Sequence, residues 1–150
     1  MTTTGLERLN TWVKAKEFAL KIYSQILPLL PAEEKFNLGS QIRRAAASIP
    51  ANIAEGYGRF YYQSNIQFCY NARGSLEELL SHLILSHDLG YLPDEVFAAI
   101  TAEGNNLVIL INGYIAYLKK SKQGENEPGN QGMIKENNEV YKIEDDDIHQ

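Results

Sequence analysis

Residues 40–59 read SQIRRAAASIPANIAEGYGR. At about 100° per residue, Leu38, Ile42, Ala45, Ile49, Ile53 and Gly56 fall within one narrow arc, the spacing of a helix that buries one face. Gln41, Arg44, Ser48, Glu55 and Arg59 form one flank with Asn52 at its boundary, while Arg43 and Ala47 point away. Pro50 has no N–H for the Ala46 carbonyl and its ring crowds that oxygen, so a kink is expected there, or a break just before it. Such a kink either lets a long helix curve around a core or frees a carbonyl for a side chain or partner. Glu55 and Arg59 stand four apart in the favourable order, worth about 0.2–0.5 kcal/mol when exposed.

The chain of 150 residues is long enough for one domain with its own core. A hydrophobic share of 44% and a charged share of 22% are those of an ordinary globular composition. The single cysteine, Cys69, rules out an intramolecular disulfide and fits a reducing compartment. No signal-peptide pattern opens the chain. The longest apolar run, at residues 107–111, falls far short of the roughly 20 residues of a membrane span. A cytoplasmic location is the expectation. The net charge of −5 is unevenly divided. Residues 1–122 hold 12 Lys and Arg against 11 Asp and Glu, and residues 123–150 hold 2 against 8. The acidity belongs to the tail.

Taken in order, residues 1–8 read as a flexible polar leader. A first helix follows from about Asn10, with Trp12, Ala15, Ala19, Ile22 and Ile26 on one face and Asn10 or Thr11 as cap, ending near Pro28 and Pro31. Glu33 and Glu34 have the character of first-turn acids, and Gly39 weakens the start of the second helix, so that residues 33–38 can form a separate turn. A third helix is expected from about Tyr61 to His87, with Tyr62, Ile66, Cys69, Leu76, Leu80 and Leu83 inward. Arg73 falls near the centre of that apolar face and needs a carboxylate, with Glu77 and Glu55 the candidates, or a subunit contact. Asp88-Leu89-Gly90-Tyr91-Leu92-Pro93 stops one helix and starts the next. The fourth helix spans about Pro93 to Lys120. Gly104 and Gly113 within it suggest close packing, either inside the chain or between protomers. Residues 123–150, closing on the EDDD run at 144–147, read as a disordered acidic tail. The expected fold is all-α, an up-down-up-down antiparallel four-helix bundle over residues 9–122.

The segments SQIRRAAASIPANIAEGYGR, ARGSLEEL at residues 72–79 and DLGYL at 88–92 occur in that order. Together they strongly resemble the four-helix-bundle family of bacterial proteins encoded in 23S ribosomal RNA intervening sequences, over about residues 9–121. That family includes the accessory protein of diversity-generating retroelements. The resemblance implies a ring-like homopentamer and, in the retroelement branch, a basic surface that binds nucleic acid and a reverse transcriptase. Within the shared motifs Arg43, Arg44, Arg59 and Arg73 are the candidate nucleic-acid contacts. Pro50, Asn52, Glu55, Gly56, Gly58, Gly74 and Gly90 are structural positions of those motifs.

Each candidate has a plainer reading beside it. The arginines, with Tyr57, Phe60, Tyr61 and Tyr62, suit phosphate contact and base stacking, and equally suit a solvated helix flank with aromatic packing at a loop. The Gly-Tyr-Gly at 56–58 lacks the Lys-Ser/Thr of a phosphate loop and ends a helix instead of opening one. Cys69 lies on an inward face, as a small buried apolar residue does. His82, His87 and His149 lack metal-ligand spacing, and no cofactor site is legible. Helical ribonucleases place His four to six residues after Arg, whereas here eight residues separate Arg73 from His82. The reading is a non-enzymatic homo-oligomeric interaction module contacting RNA or a nucleoprotein. The alternative is a protein-only scaffold whose acidic tail competes for its basic face.

Overall fold

The computed structural model describes residues 5–122. The first four residues and the acidic tail lie outside the described residues. Helices are the regular structure of the described residues, with no strand among them: α1 spans Asn10–Lys21, α2 Leu38–Tyr57, α3 Tyr62–Asp88 and α4 Asp94–Ser121. Gly5–Arg8, read as part of a flexible leader, forms a short 3-10 turn whose Leu6 carbonyl accepts from the Leu9 N–H at 3.0 Å. Leu9 occupies the N-cap of α1, and neither Asn10 nor Thr11 caps it by a side-chain bond.

The first helix changes pitch before it ends. Ile22–Ile26 is a π-turn in which the Leu27 N–H reaches back five residues to the Ile22 carbonyl, and Leu27–Leu29 follows as a 3-10 turn. Pro28 accounts for the change, because it has no N–H to continue the α ladder and its ring crowds the carbonyl four residues back. A separate turn, Ala32–Glu34, precedes α2. Glu34 then takes the place of a cap, its Oε2 accepting from the Leu38 N–H at 3.2 Å and its Oε1 from the Tyr91 hydroxyl at 3.3 Å. One carboxylate thus ties the start of α2 to the α3–α4 turn.

Pro50 neither breaks nor ends α2, which runs unbroken through its 20 residues. Leu38, Ile42, Ala45, Ile49, Ile53 and Gly56 are all buried, as the arc requires. Packing of that whole face holds the helix together across the one missing hydrogen bond. Asn52 Nδ2 donates to the Ser48 carbonyl and to Ser48 Oγ, both at 2.9 Å, and Ser48 Oγ meets Ser75 Oγ on α3 at 2.8 Å.

Two antiparallel pairs set the register. On α2 and α3, Ser48 faces Ser75 and Gly56 faces Asn65. On α3 and α4, Asn65 faces Tyr114 and Leu80 faces Gly104. The contact between α2 and α3 is the most extensive, and α4 closes back onto α1 along a thinner seam. A Cβ on Gly104 would sit 2.8 Å from Leu80 Cδ2 and 3.3 Å from Phe18 Cζ, so close packing at that glycine is within the chain. Gly113 behaves differently: it is exposed, with open space where its Cβ would be, so of the two packings expected there the one within the chain is absent.

The DLGYL turn is a Schellman ending. Gly90 sits at φ 83°, its N–H donates to the His87 carbonyl, and the Tyr91 N–H reaches the Ser86 carbonyl, both at 2.9 Å. Gly58, by contrast, caps α2 with right-handed dihedrals and only ordinary contacts around it.

Candidate functional site

The four candidate arginines lie at three separate places in the fold. Arg43 and Arg44 are near the start of α2, where Arg44 Nη2 donates to Gln41 Oε1 at 2.6 Å and the Arg43 carbonyl accepts from the Tyr23 hydroxyl. Arg59 lies beyond the other end of α2, paired to Glu55 at 2.9 Å, with its guanidinium 5.2 Å from the Phe68 ring centroid. That pair is half-exposed on both sides and contributes little stability. Arg73 is in mid-α3, facing α4. No single face gathers all four.

Arg73 departs from its expected carboxylate partnership. Its Nη1 donates to Asn112 Oδ1 on α4 at 2.8 Å, and its guanidinium lies 4.9 Å from the Tyr70 ring centroid. Glu55 is engaged with Arg59, and Glu77, one turn on, forms no ion pair among the described residues. Arg73 is half-buried at the α3–α4 edge, so the ring face and the neutral acceptor suffice to hold its charge. Lys119 on α4 brings a second cation to the same ring, at 5.8 Å. Sequence reading missed this convergence because Tyr70, Asn112 and Lys119 meet only through the register of two helices.

Beside the Gly56 end of α2 lies a buried polar knot. Asn65 Nδ2 donates to the Tyr114 hydroxyl at 3.1 Å, Cys69 Sγ approaches Asn65 Oδ1 at 3.7 Å, and the Tyr61 hydroxyl bonds Gln63 Oε1. Burial pushes the Cys69 thiol up to about 12 and raises the Tyr114 hydroxyl in the same direction. A thiol this reluctant to ionise is a packing group.

An open cleft of about 520 Å³ separates the end of α1 from the start of α4, lined by Lys21, Gln25, Leu29, Glu95, Val96 and Glu103. Two of its charged groups are spent on one another: Lys21 Nζ meets Glu103 Oε1 at 2.8 Å, and that hydrogen bond raises the lysine's pKa. His87, stacked on Phe97 at 4.2 Å, meets Asp94 through Nε2 at 2.6 Å and closes the α3–α4 turn. Among the described residues no group of three or more His, Cys, Asp or Glu is placed to hold a metal ion. His149 lies outside those residues.

These features define a compact helical bundle whose outer faces carry aromatic rings and arginines. The family model of the 23S rRNA-intervening sequence protein matches residues 7–113, and the chain belongs to that family. No curated protein matches it. It is similar in fold to the crystal structure, at 1.70 Å resolution, of a protein of unknown function from the S23 ribosomal protein family of Bacteroides thetaiotaomicron. The two share 24% identity at a TM-score of 0.65, across 70% of this chain and 97% of the other.

Proposed function

We propose that this chain is a non-enzymatic module that assembles with further copies of itself, five in the reading the family resemblance supplies, and contacts RNA or a nucleoprotein through a basic surface. The observation that carries the assembly is the outer face of α4. Within α4, an 18-residue window has a mean hydropathy of 1.2, yet only 22% of it is buried in the protomer. Ile109 and Tyr117 are 58% and 64% exposed, with Gly113 open between them. Large apolar side chains eight residues, about two turns, apart on one outer helix face, with an open glycine midway, are the composition of a subunit contact. Other exposed apolar groups, Ile84, Leu85 and Leu89, cluster towards the end of α3. Two unlike patches on one protomer suit the head-to-tail contact from which rings are built.

The test is a pair of charges on that face. Ile109→Glu with Tyr117→Glu reduces the assembly to protomers while the helical circular-dichroism signal is retained. An unchanged mass in the doubly substituted protein removes this face from the contact. For RNA, Arg43→Glu with Arg44→Glu abolishes filter retention without unfolding, and unchanged retention takes these two residues out of the site.

The second reading, a protein-only scaffold, draws support from the dispersal of Arg43, Arg44 and Arg59 and from the pairing of Arg59 with Glu55. Absence of RNA retention by an assembled protein favours it.

A further inference from the structure

Two hollows open along the thin seam between α1 and α4, and Glu103 lies on the rim of both. The larger, about 520 Å³, takes Val96, Ala99 and Ile100 from α4. The smaller, about 260 Å³, takes Leu107 and Leu110 from α4 with Phe18 from α1. Phe18, Ile100 and Leu107 are buried and floor the hollows, while Val96 and Leu110 are half-buried walls. Ile100 and Leu107 stand seven residues apart, so the hollows repeat at about two helical turns, roughly 10 Å, along α4. Lys21 and Glu103 satisfy each other at the rim, as do Lys14 and Glu17, which leaves Glu95 as the remaining charge on the groove. This groove is not the outer face given to assembly above, because Ile109 is turned about 160° round α4 from Leu107.

Beyond the described residues, the sequence repeats an apolar pair at the same interval. Met133-Ile134 and Val140-Tyr141 stand seven residues apart. At about 100° per residue these four side chains share an arc of about 120°, with Asn137 the one polar residue inside it and Lys135, Glu136 and Glu139 outside. Four apolar side chains build no core of their own and need a surface to cover. The chain leaves α4 at Lys122, whose φ of 48° turns it off the helix. Leu107 lies about 22 Å back along α4, and the eleven steps from Lys122 to Met133 reach up to about 36 Å. Gly124, Pro128, Gly129 and Gly132 in that spacer suit a reversal of direction.

We infer that residues 133–141 dock as a short helix antiparallel to α4 in this groove, with Met133-Ile134 over the Leu107 hollow and Val140-Tyr141 over the Ile100 hollow. The occupant is the protomer's own chain, laid in as an amphipathic helix in a groove. Its tether holds the segment at high effective concentration, so a modest apolar contact suffices. The inference stands independently of both the assembly and the RNA readings.

The experiment is amide hydrogen exchange, read by mass spectrometry, on the full chain. Amides of residues 133–141 are expected to exchange at least about tenfold more slowly than those of residues 123–131. Ile134→Asp with Tyr141→Asp removes that protection. Ala99→Glu, at an exposed position in the larger hollow, removes it from the other side without touching the segment. Ile143→Asp, outside the apolar arc, leaves it in place. Thermal melts verify that every variant keeps its fold. Equal exchange of the two stretches in the wild type overturns the docking. Protection that survives Ala99→Glu overturns the groove as its seat. Protection that appears only as the concentration is raised places the segment on another copy and overturns docking within one chain.

Discussion

Gly56 on α2 faces Asn65 on α3 so closely that a Cβ added to the glycine would lie 2.6 Å from Asn65 Oδ1 and 2.9 Å from its backbone oxygen. The close approach lets the Asn65 amide reach Tyr114 on α4, so one missing side chain ties three helices together. Gly56→Ala is therefore expected to destabilise the fold by about 1–3 kcal/mol, although alanine is the better helix former. Gly74→Ala, at an exposed position with nothing within 4 Å of the new methyl, should stabilise it by up to about 1 kcal/mol. Urea melts of the two variants have opposite signs on this account.

Gly90 is held in the left-handed region at φ 83°. Gly90→Ala should cost about 1–2 kcal/mol by the same melts. Gly58→Ala, at a right-handed position, should cost far less, and equal losses would show that the φ value is not the cause.

Cys69 makes stability depend on alkaline pH. Its thiol ionises near 9.0 when free and near 12 when buried, so the folded state favours the neutral form. That contribution is complete below about pH 9 and declines as pH rises towards 12, by at most about 1.4 kcal/mol per unit. The stability gap between wild type and Cys69→Ala should narrow between pH 9 and 11. Native protein should also resist thiol alkylation at neutral pH.

Truncation after Lys122 removes a segment holding 2 Lys and Arg against 8 Asp and Glu, tethered directly beyond Lys119 and Lys120. If the tail competes for the basic face, the shortened chain binds RNA more tightly, and the gain fades as salt rises. Equal affinities at low salt dispose of the competition.

Much of the fold was legible because helix periodicity is a local property. The arc of α2, the inward row of α3 and the Gly90 stop each depend on residues within a few turns of one another. The break offered as one outcome at Pro50 does not occur, for the opposite reason: a helix clamped along its whole buried face tolerates the loss of one hydrogen bond, and that clamp comes from other helices. For Gly104 and Gly113 packing inside the chain and between protomers both stood open, because spacing alone cannot tell which glycine faces Phe18 and Leu80. Arg73 showed its need for a partner without showing that the partner was Asn112, 39 residues on. The candidate site was the least legible part, since Tyr70, Asn112 and Lys119 have no pattern in sequence and meet only across an interhelical edge.

The central claim is self-assembly through the outer face of α4, and light-scattering mass after size exclusion at micromolar concentration tests it most directly. The account gives a mass near five protomers for the full chain. A clean monomer would contradict it, leaving Ile109 and Tyr117 as exposed side chains without a subunit partner.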